Sequence, residues 1–171
     1  MKIREAVLSD ANGIAKVHVD SWKTTYKNIV PDEYLESLKY EVREQMWSNV
    51  IPNGGVFVAE NAEGRIVGFA SGGKERSGKY PDFQGELYAI YILKEFQRHG
   101  LGQLLVKAVI EHLHEQHISN MIVLVLEENE SKHFYESLGA RKIDTLVVDI
   151  AGKELNELVL AWDEISPLLD R

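Results

Sequence analysis

The chain has 171 residues, enough for one domain with a sizeable core, and its 44% hydrophobic and 27% charged residues are those of an ordinary globular protein. The absence of cysteine excludes disulfides, thiolate metal sites and a cysteine nucleophile. A net charge of −8 argues against nucleic acid, whose phosphates need a basic face, and suits a cationic ligand instead.

No apolar run is long enough to span a bilayer, and Met1 to Glu5 lacks the apolar stretch of a signal peptide. The expectation is a cytoplasmic protein without membrane contact. With no repeat or linker, residues 1–171 read as a single domain. Residues 2–6 predict a strand. Ser9 and Asp10 offer an N-cap to a helix whose apolar face is Ala11, Ala15, Val19, Trp22 and Tyr26. Pro31-Asp32-Glu33 opens a second helix, with Tyr34, Leu35, Leu38, Val42, Met46 and Trp47 as its buried side. Val56–Ala59 and Ile66–Ser71 are strands joined by the turn Asn61–Gly64, and a polar loop runs from Gly72 to Gln84.

Glu86–Ile92 predicts a strand rich in aromatic and β-branched residues. Leu101–Gln116 predicts a helix with Leu101, Leu104, Leu105, Ala108, Val109 and Leu113 along one face. Met121–Leu126 is apolar on both sides of the pleat, as in a central strand. A short helix, Ser131–Leu138, ends at Gly139, and two last strands, 141–149 and 154–161, meet at Ala151-Gly152. Helices interleave with strands, but hairpin-like loops link the middle strands. The class is therefore α+β, with a mixed sheet rather than a doubly wound parallel one.

The strongest local signal is Gln97-Arg98-His99-Gly100-Leu101-Gly102-Gln103, placed between a strand and an amphipathic helix. A helix N-terminus offers unpaired N–H groups and about half a positive charge, both of which phosphate oxygens satisfy. Gly100 can adopt positive φ, and Arg98 and His99 add local positive character. The alternative is a turn merely shaped by its glycines. A Walker loop is excluded because no Gly-Lys-Ser/Thr ending follows. A dinucleotide fingerprint is excluded because it needs three glycines.

Gln97-x-x-Gly100-x-Gly102 resembles the Q/R-x-x-G-x-G/A signature of the GNAT N-acetyltransferases. Gly85 to Ile92 resembles that family's bulged cofactor strand, and Asn129 to Gly139 its second cofactor motif. Ser21-Trp22, Thr25-Tyr26, Ile29-Val30-Pro31 and Tyr34-Leu35 extend the likeness to the N-terminal part. Three departures stand out. Asn129 and Tyr135 are one residue closer than in the commonest form, Gly139-Ala140 replaces Gly-Phe, and His99 replaces Arg, Lys or Gln.

The resemblance implies a single-domain fold with a central, mixed but mostly antiparallel sheet flanked by helices. It implies acetyl-coenzyme A as co-substrate, with no metal, and direct acetyl transfer to an amine acceptor. The backbone from Arg98 to Gln103 would hold the pyrophosphate. The pantetheine arm would lie along Ile90, Tyr91 and Ile92, and Asn129 would hydrogen-bond to it. Tyr135 would protonate the departing thiolate, and an N–H near Tyr91 or Ile92 would stabilise the oxyanion. Glu86, at the head of the cofactor strand, is the candidate general base and a substrate contact, or else a solvated strand-end charge. Trp22 and Tyr26, one helical turn apart, are candidates for the acceptor pocket, with core packing as the alternative.

His18 reads as a satisfied polar residue. His112, His114 and His117 read as a solvated helix end, since no further ligands converge with them. Glu127-Glu128 reads as an acceptor entrance or a plain acidic pair. The expected partner is a small amine, and the final strands are a candidate homodimer interface. An acyl-coenzyme A sensor without turnover is the competing reading.

Overall fold

The computed structural model describes all residues from Met1 to Arg171. Its strands are β1 (Lys2–Glu5), β2 (Val56–Glu60), β3 (Ile66–Lys74), β4 (Gly85–Ile92), β5 (Met121–Leu126), β6 (Arg141–Ile150) and β7 (Lys153–Trp162). Its helices are α1 (Ala11–Thr25), α2 (Asp32–Ser37), α3 (Tyr40–Val50), α4 (Leu101–Glu115) and α5 (Ser131–Ser137). The strands form one seven-stranded sheet in the order β1-β2-β3-β4-β5-β7-β6. Every pairing is antiparallel except β4 with β5, so the mixed, mostly antiparallel α+β fold expected from the sequence is the one present.

The two sheet faces are covered by different helices. A Cβ at Gly68 or Gly72 would meet Leu105 or Val109 of α4. Between these positions Phe69 points the other way, edge-on to Trp47 and His18. Alternation along β3 therefore places α4 on one face and α1 with α3 on the other. The main core is continuous through both layers, from Ile14 and Val17 of α1 to Leu105, Val109 and Leu113 of α4, all fully buried.

Three expectations need correction. The helix opened by Pro31 is two helices, because Leu38 and Lys39 adopt extended backbone (ψ 130° and 137°). The Ser37 hydroxyl donates to the Tyr34 carbonyl at 2.6 Å, a side-chain alternative to the helical ladder at this end. The break turns the chain so that Trp47 is buried while Val42 is 64% exposed, against the buried stripe expected. On α4, Leu104 is 49% exposed. The buried stripe instead includes Val106 and Ile110, and Leu104 borders a groove with Ile3 and Phe57. Asp10 does not cap α1 through its side chain. Its carboxylate accepts from Val7 N–H at 2.8 Å and from both ends of the Arg4 guanidinium at 2.8 and 2.9 Å, pinning β1 to the start of the helix.

No helix is long and apolar enough to cross a membrane. The turn at Ala151-Gly152 closes a two-residue hairpin with φ of 50° and 88°. Both residues are left-handed, as the twist of the flanking strands favours.

Candidate active site

The site begins with a failure of strand pairing. β4 and β5 pair only over Gly85↔Met121, Glu86↔Ile122 and Leu87↔Val123. β4 then continues along β3 as far as Gly68↔Ile92, while β5 stays with β7 as far as Leu126↔Glu157. The β5-facing edge of β4 is thus unpaired from Tyr88 to Ile92. The register of β3 and β4 locates the cause. Ser71 faces Ala89 and Gly72 faces Leu87, so Tyr88 is the extra residue of a bulge that bends β4 away. The bulge also shifts the alternation of side chains along β4. Tyr91, stacked on His18, joins the α1 face of the sheet, whereas Ile90 pairs with Ala70.

Beyond β4 the chain makes the glycine loop. Arg98 (φ 62°) and Gly100 (φ 84°) are both left-handed. This conformation costs a non-glycine residue such as Arg98 of order 1 kcal/mol and turns backbone N–H groups into a concave nest. The first hydrogen bond of α4 is Leu104 N–H to Gly100 O at 3.4 Å. The N–H groups of Leu101, Gly102 and Gln103 therefore have no acceptor within the helix. A Cβ at Gly102 would come within 3.0 Å of the Phe134 ring, so this position must be small for α5 to close onto the start of α4. The Gln97 side chain donates to Ile92 O at 2.9 Å, fixing where the strand ends and the loop begins.

The splay, the loop and α5 enclose a cavity of about 520 Å³. It is lined by Ile90, Tyr91, Ile92, Gln97, Arg98, Gly100, Gly102 and Tyr135 from the sequence reading. Thr25 also lines it, as do Glu130, Ser131, His133 and Phe134 of the Asn129–Gly139 motif. The side chains of His99, Leu101, Gln103 and Asn129 are not in its wall. Leu101 is 4% exposed and packs into the core, so it offers the cavity only its backbone. Gln103 faces a separate small cleft with Lys107 and Leu138.

Asn129 is buried, its Oδ1 accepts from Ser131 N–H at 2.9 Å, and its Nδ2 donates to the Tyr26 hydroxyl at 3.4 Å. It holds the end of β5 to the start of α5 and keeps one amide hydrogen free.

Tyr26 and Tyr91 hydrogen-bond through their hydroxyls at 2.9 Å. The pair bridges the end of α1 to the splayed part of β4. Burial pushes both phenols above the ordinary tyrosine value. Tyr135 is buried on α5, edge-on to Trp162, and its hydroxyl forms no hydrogen bond within the protein. Burial first, and the nearby Tyr26 second, push it well above the ordinary range, so it is a neutral donor at neutral pH. Trp22 packs on Tyr26 with ring centroids 4.3 Å apart, is half-buried, and leaves its indole N–H buried without a partner. Sequence reasoning had no signal for the Tyr26–Tyr91–Asn129 bridge, whose members are up to 103 positions apart in the chain.

Glu86 is 3% exposed on the α1 face of the sheet. Its Oε1 accepts from the Arg76 N–H at 3.1 Å and Nε at 3.4 Å, and its Oε2 from the Arg76 terminal nitrogen at 2.7 Å. The guanidinium also lies 4.0 Å from the Tyr88 ring centroid, an arrangement that holds it by cation–π attraction as well. Arg76 comes from the polar loop, and nothing in its sequence marked it as a partner.

His18 accepts the Trp47 indole N–H at 3.1 Å on Nδ1. Burial, and then the charge of Arg43, lower its pKa to about 3, so it is a neutral core residue. His112 hydrogen-bonds to Gln116 and lies against Phe57.

Residues 79–148 match the family model described as FR47-like protein. The chain is 44% identical over 166 residues to an uncharacterised N-acetyltransferase, YuaI, of Bacillus subtilis (strain 168), a match covering 97% of this chain and 95% of that one. Its fold superposes on the ribosomal-protein-alanine N-acetyltransferase of Brucella melitensis with a TM-score of 0.73, at 25% identity over 95% of this chain and 99% of that one. It also superposes on the PaiA N-acetyltransferase of Thermoplasma acidophilum, solved with coenzyme A, with a TM-score of 0.71, at 22% identity over 92% and 96% of the two chains. With a splayed parallel pair beside a helix whose first N–H groups are free, the chain belongs to the GNAT N-acetyltransferases, the acetyl-coenzyme A-dependent acyltransferases.

Proposed function

We propose that this protein transfers the acetyl group of acetyl-coenzyme A directly to a primary amine of a small acceptor in the cytoplasm. The observation that carries the reading is the unpaired edge of β4 from Tyr88 to Ile92, set between the free N–H groups of α4 and the unpartnered Tyr135 hydroxyl. An extended amide-bearing arm pairs with such an edge as an added strand would. The N–H nest at Arg98 and Gly100 and the start of α4 suit its pyrophosphate. The amine nitrogen attacks the thioester carbonyl, a backbone N–H near Tyr91 or Ile92 stabilises the oxyanion, and the C–S bond breaks. Tyr135 supplies the proton that the departing thiolate takes. No covalent enzyme intermediate is needed.

On the acceptor side, Trp22 and Tyr26 form an aromatic wall, and the acidic balance of the chain favours a cationic acceptor. Glu86 accepts a proton from the amine only when Arg76 is displaced or a water bridges the two, because both of its oxygens accept from that arginine.

The test is thiol release from acetyl-coenzyme A on addition of a panel of primary amines, with the acetylated amine identified by mass spectrometry. Turnover with one or more small amines supports the reading. A protein that binds acetyl-coenzyme A but acetylates none of them is a binding domain.

A further inference from the structure

Glu157 is a carboxylate that the structure leaves without a cation. It is the middle member of an i, i+2, i+4 row on β7, between Leu155 and Val159. Alternation puts all three on one face of the sheet. Leu155 belongs to the apolar cluster of Tyr26 and Leu126, against which Trp22 packs, and Val159 to the cluster of Ile122 and Ala161, against which Leu124 and Leu146 pack. Glu157 thus interrupts the junction of two apolar clusters on the acceptor side. Its register partner is Leu126, the last residue of the strand that splays from β4.

It is half-buried, and it makes neither a salt bridge nor a side-chain hydrogen bond. Partial removal of an ionised carboxylate from water carries a cost that a paired cation offsets. The neighbouring carboxylate, Glu86, is already matched by Arg76. No group of the chain pairs with Glu157, which leaves it open to a cation from outside.

We propose that Glu157 is the acceptor-binding carboxylate: it receives the ammonium group of a cationic primary amine and takes the proton that frees the nitrogen for attack. The inference rests on the acetyl-transfer reading above. In the balanced step, R–NH₃⁺ gives one proton to the Glu157 carboxylate, and the neutral amine forms the C–N bond as the C–S bond breaks. The thiolate takes the Tyr135 proton, the phenolate is reprotonated from the nitrogen, and Glu157 returns its proton to water. The products are the acetylated amine, coenzyme A and one proton. Burial first, and then the Glu86 charge, hold the Glu157 carboxyl above the usual glutamate range. That places it closer to neutrality, where a general base works best.

The test uses the full chain with acetyl-coenzyme A and a panel of primary monoamines, diamines and amino-acid amides, read as thiol release from pH 5 to 9. Wild type is expected to turn over at least one of these cations, with kcat/KM falling as acid protonates Glu157. Glu157→Gln, which keeps shape and removes charge, is expected to lose about 10²-fold or more in kcat/KM and to lose that acid limb. Its thermal shift with acetyl-coenzyme A is expected to match wild type.

Turnover of Glu157→Gln within twofold of wild type, with the acid limb unchanged, overturns the proposal. So does a wild type that binds acetyl-coenzyme A but turns over none of the amines. Loss of acetyl-coenzyme A binding in wild type would instead sink the reading of the cleft itself. Glu157→Ala covers the case in which the glutamine variant does not fold, with the same expected losses.

Discussion

The two halves of the proposed site, one for the cofactor and one for the acceptor, are built on different principles. The cofactor half is made of backbone: an unpaired strand edge, a left-handed loop and the free N–H groups of a helix start. The region proposed to take the acceptor is made of side chains: Trp22, Tyr26, the Glu86–Arg76 pair and the unpartnered Glu157. Backbone groups are the same whatever the side chains, so the first half needs only a few small or permissive residues to exist. The second half changes with every substitution, which is how one scaffold serves many acceptors.

Tyr135 stands where the halves meet, and its variant should show the largest effect. Tyr135→Phe is expected to lower turnover by about 10²-fold or more with acetyl-coenzyme A affinity little changed. Steady-state kinetics beside a binding titration reads both, and unchanged turnover would remove the phenol from the mechanism. Because burial raises this phenol, its ionisation should not limit turnover until the pH exceeds the ordinary tyrosine value of 10.0.

Asp10 lies outside both halves and separates stability from function. Asp10→Asn is expected to cost about 1–2 kcal/mol in denaturant unfolding, since it breaks a partly buried, bidentate ion pair with Arg4. The Arg4 side chain holds the Asp10 carboxyl below its ordinary value of 3.8 in the folded state. The stabilisation is then fully present above that value and is lost as pH falls through the lower, folded one. Acid unfolding of wild type and variant should converge there, with acetyl-coenzyme A affinity at neutral pH unaffected.

Gly100→Ala tests the backbone half. Nothing lies within 4 Å of the added Cβ, so the cost comes from φ of 84° alone. It is expected to be about 1 kcal/mol of folding stability, read by denaturant unfolding, with acceptor preference unchanged. A shift in acceptor preference would blur the division of the cleft. Val42→Lys should have the smallest effect, within about 0.5 kcal/mol of wild-type stability, because its side chain is exposed once the helix breaks at Leu38. A loss of several kcal/mol would restore the single buried stripe.

The same division governs what the sequence made legible. Gln97 to Gln103 is contiguous, and the physics of a helix N-terminus can be read from it directly. The Glu86–Ile92 and Met121–Leu126 strands were equally plain from their composition. The bulge at Tyr88 was not, because an extra residue shows only once β3 is in register beside it. Arg76 and Glu157 were missed for a related reason. One is an ordinary arginine in a polar loop, the other an ordinary glutamate on a strand, and each acquires meaning only from neighbours on other elements. The break at Leu38 escaped because helical spacing continues across it from Leu35 to Met46, and no proline or glycine marks the site.

The most direct test of the central claim, that the splay between β4 and β5 holds the acetyl donor, is thermal unfolding with acetyl-coenzyme A, coenzyme A, ATP and NAD in turn. Ligand at about 100 times its dissociation constant contributes roughly 2.7 kcal/mol, which raises Tm by about 5–10 °C for a chain of this size. A rise of that order with the two coenzyme A compounds alone is the predicted result. No rise, or a rise with ATP or NAD instead, would contradict the account.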